Sequence, residues 1–198
     1  MEFDSVVRRR KMIRNYRNTP VDPEAVERIL DAARRAPSAG NSQGQYLIVV
    51  TKQETRARIA ALGNENLYVA RGMPPWMSTA PVHVVVCMRE DDYHERYREP
   101  DKLGEDGAEM DWTVPYWWVD AGATMMLVLL AAVNEGLSAG VFGSHRMQGL
   151  KELLEIPAEV APIGIITIGH AASTATTGSA TRGRKPATDT VHRERWGS

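Results

Sequence analysis

Arginine and lysine are concentrated at two places in this chain: Arg8-Arg9-Arg10-Lys11-Met12-Ile13-Arg14 near the start and Arg182-Gly183-Arg184-Lys185-Pro186 near the end. Guanidinium groups fork onto phosphate oxygens through charge-assisted hydrogen bonds, so clusters of this kind can hold a phosphate. The formal net charge of the 198 residues is only -1, which makes both clusters local concentrations rather than parts of a basic surface. Taken alone, the first also reads as a solvated helix face. If folding brings the two ends together, they form one phosphate site. A third feature is the run Ala36-Pro37-Ser38-Ala39-Gly40-Asn41-Ser42-Gln43. Ser, Gly and Asn dominate ordinary turns, but Ser38, Asn41 and Gln43 together also offer donors and acceptors suited to the edge of a heterocycle.

Other chemistries are weaker in this sequence. Trp112, Tyr116, Trp117 and Trp118 are either core packing or an aromatic wall on which flat substrates stack. His83 falls in an apolar strand, and His94, His145, His170 and His192 lack metal-ligand spacing, so no metal site is expected. The absence of a Gly-x-Gly-x-x-Gly turn after a strand argues against a Rossmann nucleotide fold. Balanced charge argues against broad nucleic-acid binding. The single cysteine, Cys87, lies within Val84-Val85-Val86-Cys87-Met88 and reads as a buried strand residue. It excludes an internal disulfide framework and fits a cytoplasmic protein. The basic start lacks the apolar segment of a signal peptide, and Ala121 to Val133 is too short to span a bilayer, so no membrane association is expected.

The elements that must position these groups are one domain, residues 1–198, with 171–198 as a C-terminal arm. A short helix through Phe3, Val6 and Val7 is expected to end near Arg14. Asp22 caps a second helix with Pro23 at its first position, and Val26, Ile29, Leu30 and Ala33 follow the helical period up to Pro37. Tyr46 to Thr51 reads as a buried strand, Glu54 to Leu62 as a helix and Val82 to Met88 as the clearest strand. The segment from Arg89 to Tyr116 is charged and aromatic, and reads as a long functional loop or cap. A core helix from Val119 to Asn134 ends with Gly136 as a C-cap glycine. Ala139 to Phe142, Gln148 to Leu154 and Ile163 to Ile168 follow as strand, helix and strand. Such alternation gives an α/β or α+β sandwich around a central sheet. An arm without apolar periodicity suits a dimer, one chain wrapping another.

The order of Arg10-Lys11-Met12-Ile13-Arg14-Asn15-Tyr16, the Pro37–Gln43 loop, Gly136-Leu137-Ser138-Ala139-Gly140 and Arg182-Gly183-Arg184-Lys185-Pro186 resembles the FMN-dependent nitroreductase family. The resemblance covers nearly the whole chain. It implies an α+β sandwich with a mainly antiparallel sheet flanked by helices, in an intertwined homodimer with FMN at the subunit interface. It further implies hydride transfer from NADH or NADPH to nitroaromatics, quinones or similar flat acceptors. By the same resemblance, Arg10, Lys11, Met12 and Arg14 hold the phosphate and ribityl end, although Met12 stands where the family usually has a small hydroxyl residue. Arg182 and Arg184 close on the same phosphate. Pro37, Ser38, Asn41 and Gln43 reach the flavin from the other subunit. Val141, Phe142, Gly143 and Ser144 lie against the ring, where the N–H of Gly143 or Ser144 meets flavin N5. Gly44-Gln45 replaces a common Pro-Trp. Trp112 and Tyr116 are the expected acceptor contacts. No side-chain catalyst is required, because the cofactor carries the redox step. A deazaflavin, oxidative chemistry on the flavin itself, or flavin binding without turnover are alternatives within the same fold.

Overall fold

Successive side chains of a strand point to opposite faces of its sheet, and in Val82-His83-Val84-Val85-Val86-Cys87-Met88 nearly all members of both sets are apolar. The segment forms β2 (Val82–Arg89), covered on both faces. The computed structural model describes residues 1–144, 147–173 and 181–197. Around β2 lie β1 (Gln45–Val50), β3 (Ser138–Gly143) and β4 (Val160–Gly169), in the order β1-β2-β4-β3 with every neighbouring pair antiparallel. One face of β2, Val82, Val84 and Val86, packs with Val26 and Ile29 of α2 (Pro23–Ala33) and with Val128 and Ala132 of α7 (Tyr116–Asn134). On the opposite face, Val85 and Cys87 meet Ile59 of α3 (Gln53–Leu62), Met77 of α5 (Trp76–Thr79) and Leu150 of α8 (Leu150–Leu154). This is the expected α+β sandwich, with an antiparallel sheet between two helical layers.

Local chemistry sets several boundaries as anticipated. The Asp22 side chain accepts the Glu24 N–H at 3.1 Å, with Pro23 opening α2. Helix α7 ends in paired bonds, Gly136 N–H to Val133 O at 3.0 Å and Leu137 N–H to Ala132 O at 2.9 Å. That helix starts three residues earlier than the sequence suggests. Its 19 residues have the length and apolarity of a membrane span, but Ala121, Val128 and Ala132 are packed inside the protein. Cys87 is fully buried, and burial pushes its thiol up to about 11.

Three expectations need correction. The first helix, α1 (Phe3–Arg9), stops five residues before Arg14, because the following residues run extended along β3. Strand β1 is an edge strand, with Tyr46 and Val49 exposed, rather than a buried one. Between α3 and β2, Pro74-Pro75 separates two short helices, α4 (Glu65–Val69) and α5. The Arg89–Tyr116 segment is not one loop: it contains α6 (Asp91–Tyr97). Two acidic residues in the first turn and tyrosines four apart were the available sequence signals for that helix.

Candidate functional site

The N-terminal basic cluster is placed by backbone pairing. After α1 the chain lies parallel to β3: Met12 bridges Ala139, and the Ile13 N–H donates to Ala139 O at 2.9 Å. This approach requires a glycine opposite. A Cβ on Gly140 would stand 2.2 Å from the Ile13 carbonyl oxygen. The buried Tyr16 hydroxyl sits 2.9 Å from that same oxygen and 2.9 Å from Thr167 Oγ1. Burial raises the phenol's pKa, so it remains protonated and able to donate. Farther along, the Arg14 guanidinium donates to Val141 O at 3.4 Å and lies over the Trp76 ring, 5.5 Å from its centroid. Trp76 in turn meets Phe142 edge-on at 5.4 Å.

These contacts reveal which way β3 faces. In an antiparallel pair, both backbone groups of alternate residues point to the same side. Ala139 and Val141 give their carbonyls to the N-terminal segment, so Gly143, two residues on, also turns its N–H to the outer edge. Gly143 is exposed. Ser144 follows, with its Oγ buried and lacking a hydrogen-bond partner among the described residues. The outer edge therefore carries cations at Arg10, Lys11 and Arg14 and then a backbone donor at Gly143, with the orphaned Ser144 hydroxyl buried just past the strand's end. Such a row fits a ligand with an anionic tail and a polar ring, as FMN is. Met12 is exposed and contributes its backbone to the bridge. Beside it, Arg8, Arg9, Lys11, Arg17, Ser138 and His170 line an open cavity of about 560 Å³.

The Pro37–Gln43 loop occupies a different place in the same chain. Its centre is a tight turn, Ala39–Asn41, with the Asn41 N–H on Ser38 O at 2.9 Å and the Gln43 N–H on Ser38 Oγ at 2.9 Å. Gly40, Asn41 and Gln43 all have positive φ, near 60°, 58° and 54°. The buried Asp120 of α7 accepts the Ala39 N–H at 2.9 Å, and Arg96 of α6 donates to Gly40 O at 2.9 Å. Tyr93 donates to the same Asp120 oxygen at 3.0 Å and receives the Gln45 amide. Burial, reinforced by that carboxylate, raises the Tyr93 pKa. Gly44 is explained here as well, since a Cβ would lie 2.7 Å from the Tyr93 ring. Pro37, Asn41 and Gln43 are exposed, while Ser38 is half-buried. Asp120, Arg96 and Tyr93 were missed in the sequence. An acidic residue inside an otherwise apolar helix was the one signal for Asp120.

Among the described residues, no hydrogen bond or ion pair joins Arg182 or Arg184 to Arg10 or Arg14. Arg182 and Arg184 are exposed on the arm. Contacts described for the arm include Thr190 Oγ1 on Pro186 O at 3.3 Å and His192 against Trp196. His145 and the link at 174–180 lie outside the described residues.

Of the expected acceptor contacts, Trp112 is half-buried and committed. Its indole donates to Glu109 at 2.7 Å, and its ring meets Tyr93, Tyr97 and Trp117. Tyr116 is exposed at the start of α7. Glu109 also holds His94 Nδ1 at 2.5 Å and Arg98 at 3.0 Å, fastening this segment to α6. His83 is buried, bonded through Nε2 to Met77 O at 2.7 Å, and burial lowers its pKa to about 4. No group of histidine, cysteine, aspartate and glutamate suited to a metal occurs among the described residues.

The model of the nitroreductase family matches residues 7–170. The chain belongs to the nitroreductase family. A nitroreductase-family relative, the FMN reductase (NAD(P)H) of Bacillus subtilis strain 168, is 31% identical over 193 residues, spanning 93% of this chain and 70% of the relative. The 5,6-dimethylbenzimidazole synthase of Rhodospirillum rubrum is 30% identical over 183 residues, 84% of this chain and 81% of that protein. Among solved structures, the hypothetical oxidoreductase YcnD from Bacillus subtilis superposes with a TM-score of 0.76 at 27% identity, covering 98% of this chain and 74% of the other.

Proposed function

We propose that this nitroreductase-family protein is an FMN-dependent oxidoreductase that takes hydride from NADH or NADPH and passes it to nitroaromatics, quinones or similar flat acceptors in the cytoplasm. The observation that carries this reading is the donor row on the outer edge of β3. When bound, FMN supplies the two-electron chemistry. The chain's task is to hold and orient it. Arg10, Lys11 and Arg14 would neutralise the phosphate end, with the backbone of Met12 fixing their register on Ala139. Val141 and Phe142 would form the ring's floor, and Gly143 N–H and Ser144 Oγ would meet its polar edge.

Pro37, Ser38, Asn41 and Gln43 would complete the site from a second copy of the chain, and Arg182 and Arg184 would close over the phosphate. A homodimer is supported by an apolar face left uncovered: Trp118, Val119 and Met126 on α7 and Phe3 and Val7 on α1 are all exposed. Gly122 lies along the same stretch of α7 with open space where a Cβ would stand, which suits close helix approach.

The purified protein is expected to bind about one FMN per chain, show a two-banded visible spectrum and bleach with NADH or NADPH. Reoxidation by a quinone or nitroaromatic should restore the spectrum. A protein that binds no FMN would end this reading. Similarity to a dimethylbenzimidazole synthase favours one second reading, oxidative chemistry on the flavin itself. Chromatographic detection of dimethylbenzimidazole from reduced FMN and oxygen would support that reading.

A further inference from the structure

The Pro37–Gln43 loop holds an uncommon backbone conformation. Three of its residues have positive φ, and two of them, Asn41 and Gln43, carry side chains. Backbone of this kind persists where the surroundings over-determine it. Here two groups from outside the loop do so. Asp120 accepts the Ala39 N–H at 2.9 Å from a helix position that is only 8% exposed. Arg96 donates to Gly40 O at 2.9 Å and is itself steered by Asp101 through two bonds of 2.8 Å. The Tyr97 ring closes the remaining space, 2.7 Å from where a Gly40 Cβ would be.

Each anchor is also tied to the aromatic segment. Asp120 is bonded to Tyr93, which packs on Trp112 and Trp117. Arg96 is bonded to Asp101, in the stretch that leads to Trp112. With their backbone fixed, Asn41 and Gln43 remain exposed, and among the described residues no hydrogen bond engages the Asn41 amide.

We propose that Asp120 and Arg96 are positioning residues for the cofactor, clamping the turn at Ala39 and Gly40 so that Ser38 and Asn41 present one fixed polar edge to a flavin. The inference rests on the flavin reading above. Neither residue meets the flavin: each acts through a backbone group of the loop. An acceptor oxygen at position 120 is the essential feature, and a neutral amide supplies one. A guanidinium at position 96 supplies both geometry and reach.

The test is FMN titration by fluorescence and visible circular dichroism of the bound flavin in the full-length Asp120→Ala, Asp120→Asn and Arg96→Met variants, with far-ultraviolet dichroism monitoring folding. Asp120→Ala and Arg96→Met should each weaken FMN binding by about tenfold and alter the flavin's dichroic bands. Asp120→Asn should stay within about threefold of the parent, because its amide oxygen accepts the same two bonds. Folded Asp120→Ala with the parent's affinity and bands overturns the clamp, and so does an Asn variant as impaired as the Ala variant. If Asp120→Ala does not fold, Arg96→Met decides by the same criterion. A parent protein that binds no FMN overturns the functional reading, and the clamp with it. Binding by the parent with unchanged variants overturns the clamp alone.

Discussion

The two basic clusters have similar composition and opposite anchoring. Arg10 to Arg14 is threaded along β3 by a backbone bridge, a buried tyrosine hydroxyl and a guanidinium-to-carbonyl bond. Arg182 and Arg184 sit on an exposed arm, where Thr190 Oγ1 meets Pro186 O and His192 packs against Trp196. The fold of a single chain therefore preorganises the first cluster through backbone pairing, whereas Arg182 and Arg184 are presented on an exposed surface. Preorganisation reduces the ordering cost of binding, so the first cluster should dominate initial affinity and the second should add closure.

The largest expected effect breaks both halves together. Arg14→Ala combined with Arg184→Ala should weaken FMN binding by roughly a hundredfold or more, measured by fluorescence titration, since two charge-assisted hydrogen bonds are lost. In the single variants, Arg14→Ala should account for the larger share. Unchanged affinity in the double variant would remove the shared phosphate site. Subunit mixing sharpens the comparison next. Chains carrying Arg14→Ala and chains carrying Asn41→Ala should each be flavin-poor, yet their mixture should regain about a quarter of the parent's sites. That follows because half of the exchanged dimers contain one intact composite site. No recovery after verified exchange would place both residues in the same subunit's site.

Smaller effects concern the segment over the helices. Replacing Trp112 by Ala should cost about 2 kcal/mol, seen as a fall of roughly 4–8 °C in Tm, because several ring contacts and one hydrogen bond go. Tyr116→Ala should leave Tm nearly unchanged and instead alter the ranking of quinone and nitroaromatic acceptors severalfold. The reverse pattern would exchange their assigned roles. The smallest effect is a pH response. The hydrogen bond to Glu109 raises the folded pKa of His94 above its ordinary value near 6.5. A raised folded pKa contributes stability that is complete below the unfolded value and disappears as pH climbs through the folded one. Tm should therefore fall slightly from about pH 6 upward, and His94→Gln should flatten that slope. An identical slope in the variant would assign it elsewhere.

What could be read from sequence follows the physics of each element. Apolar periodicity in β2, the Asp22-Pro23 start and the Gly136 stop are local signals, and the structure bears them out. The extended course of Arg10 to Arg14 was hidden, because the partner that competes with helix continuation, Ala139, lies far along the chain. Helix α6 was obscured by charge on every side of it. The donor groups at β3 were expected from family resemblance, and their direction came only from strand register. Asp120 and Arg96 act on backbone groups, which leave no trace in side-chain patterns.

Gly140 gives the last consequence. Its empty side faces the Ile13 carbonyl at a distance that admits no methyl group. A substitution there would lift the whole N-terminal strip off the sheet and carry Arg10, Lys11 and Arg14 away together. A random-variant screen for weakened flavin retention should thus score position 140 among the arginines, although glycine has no side chain with which to hold a ligand. Affinity lost at that position would report a backbone out of alignment, and restoring charge elsewhere would not recover it.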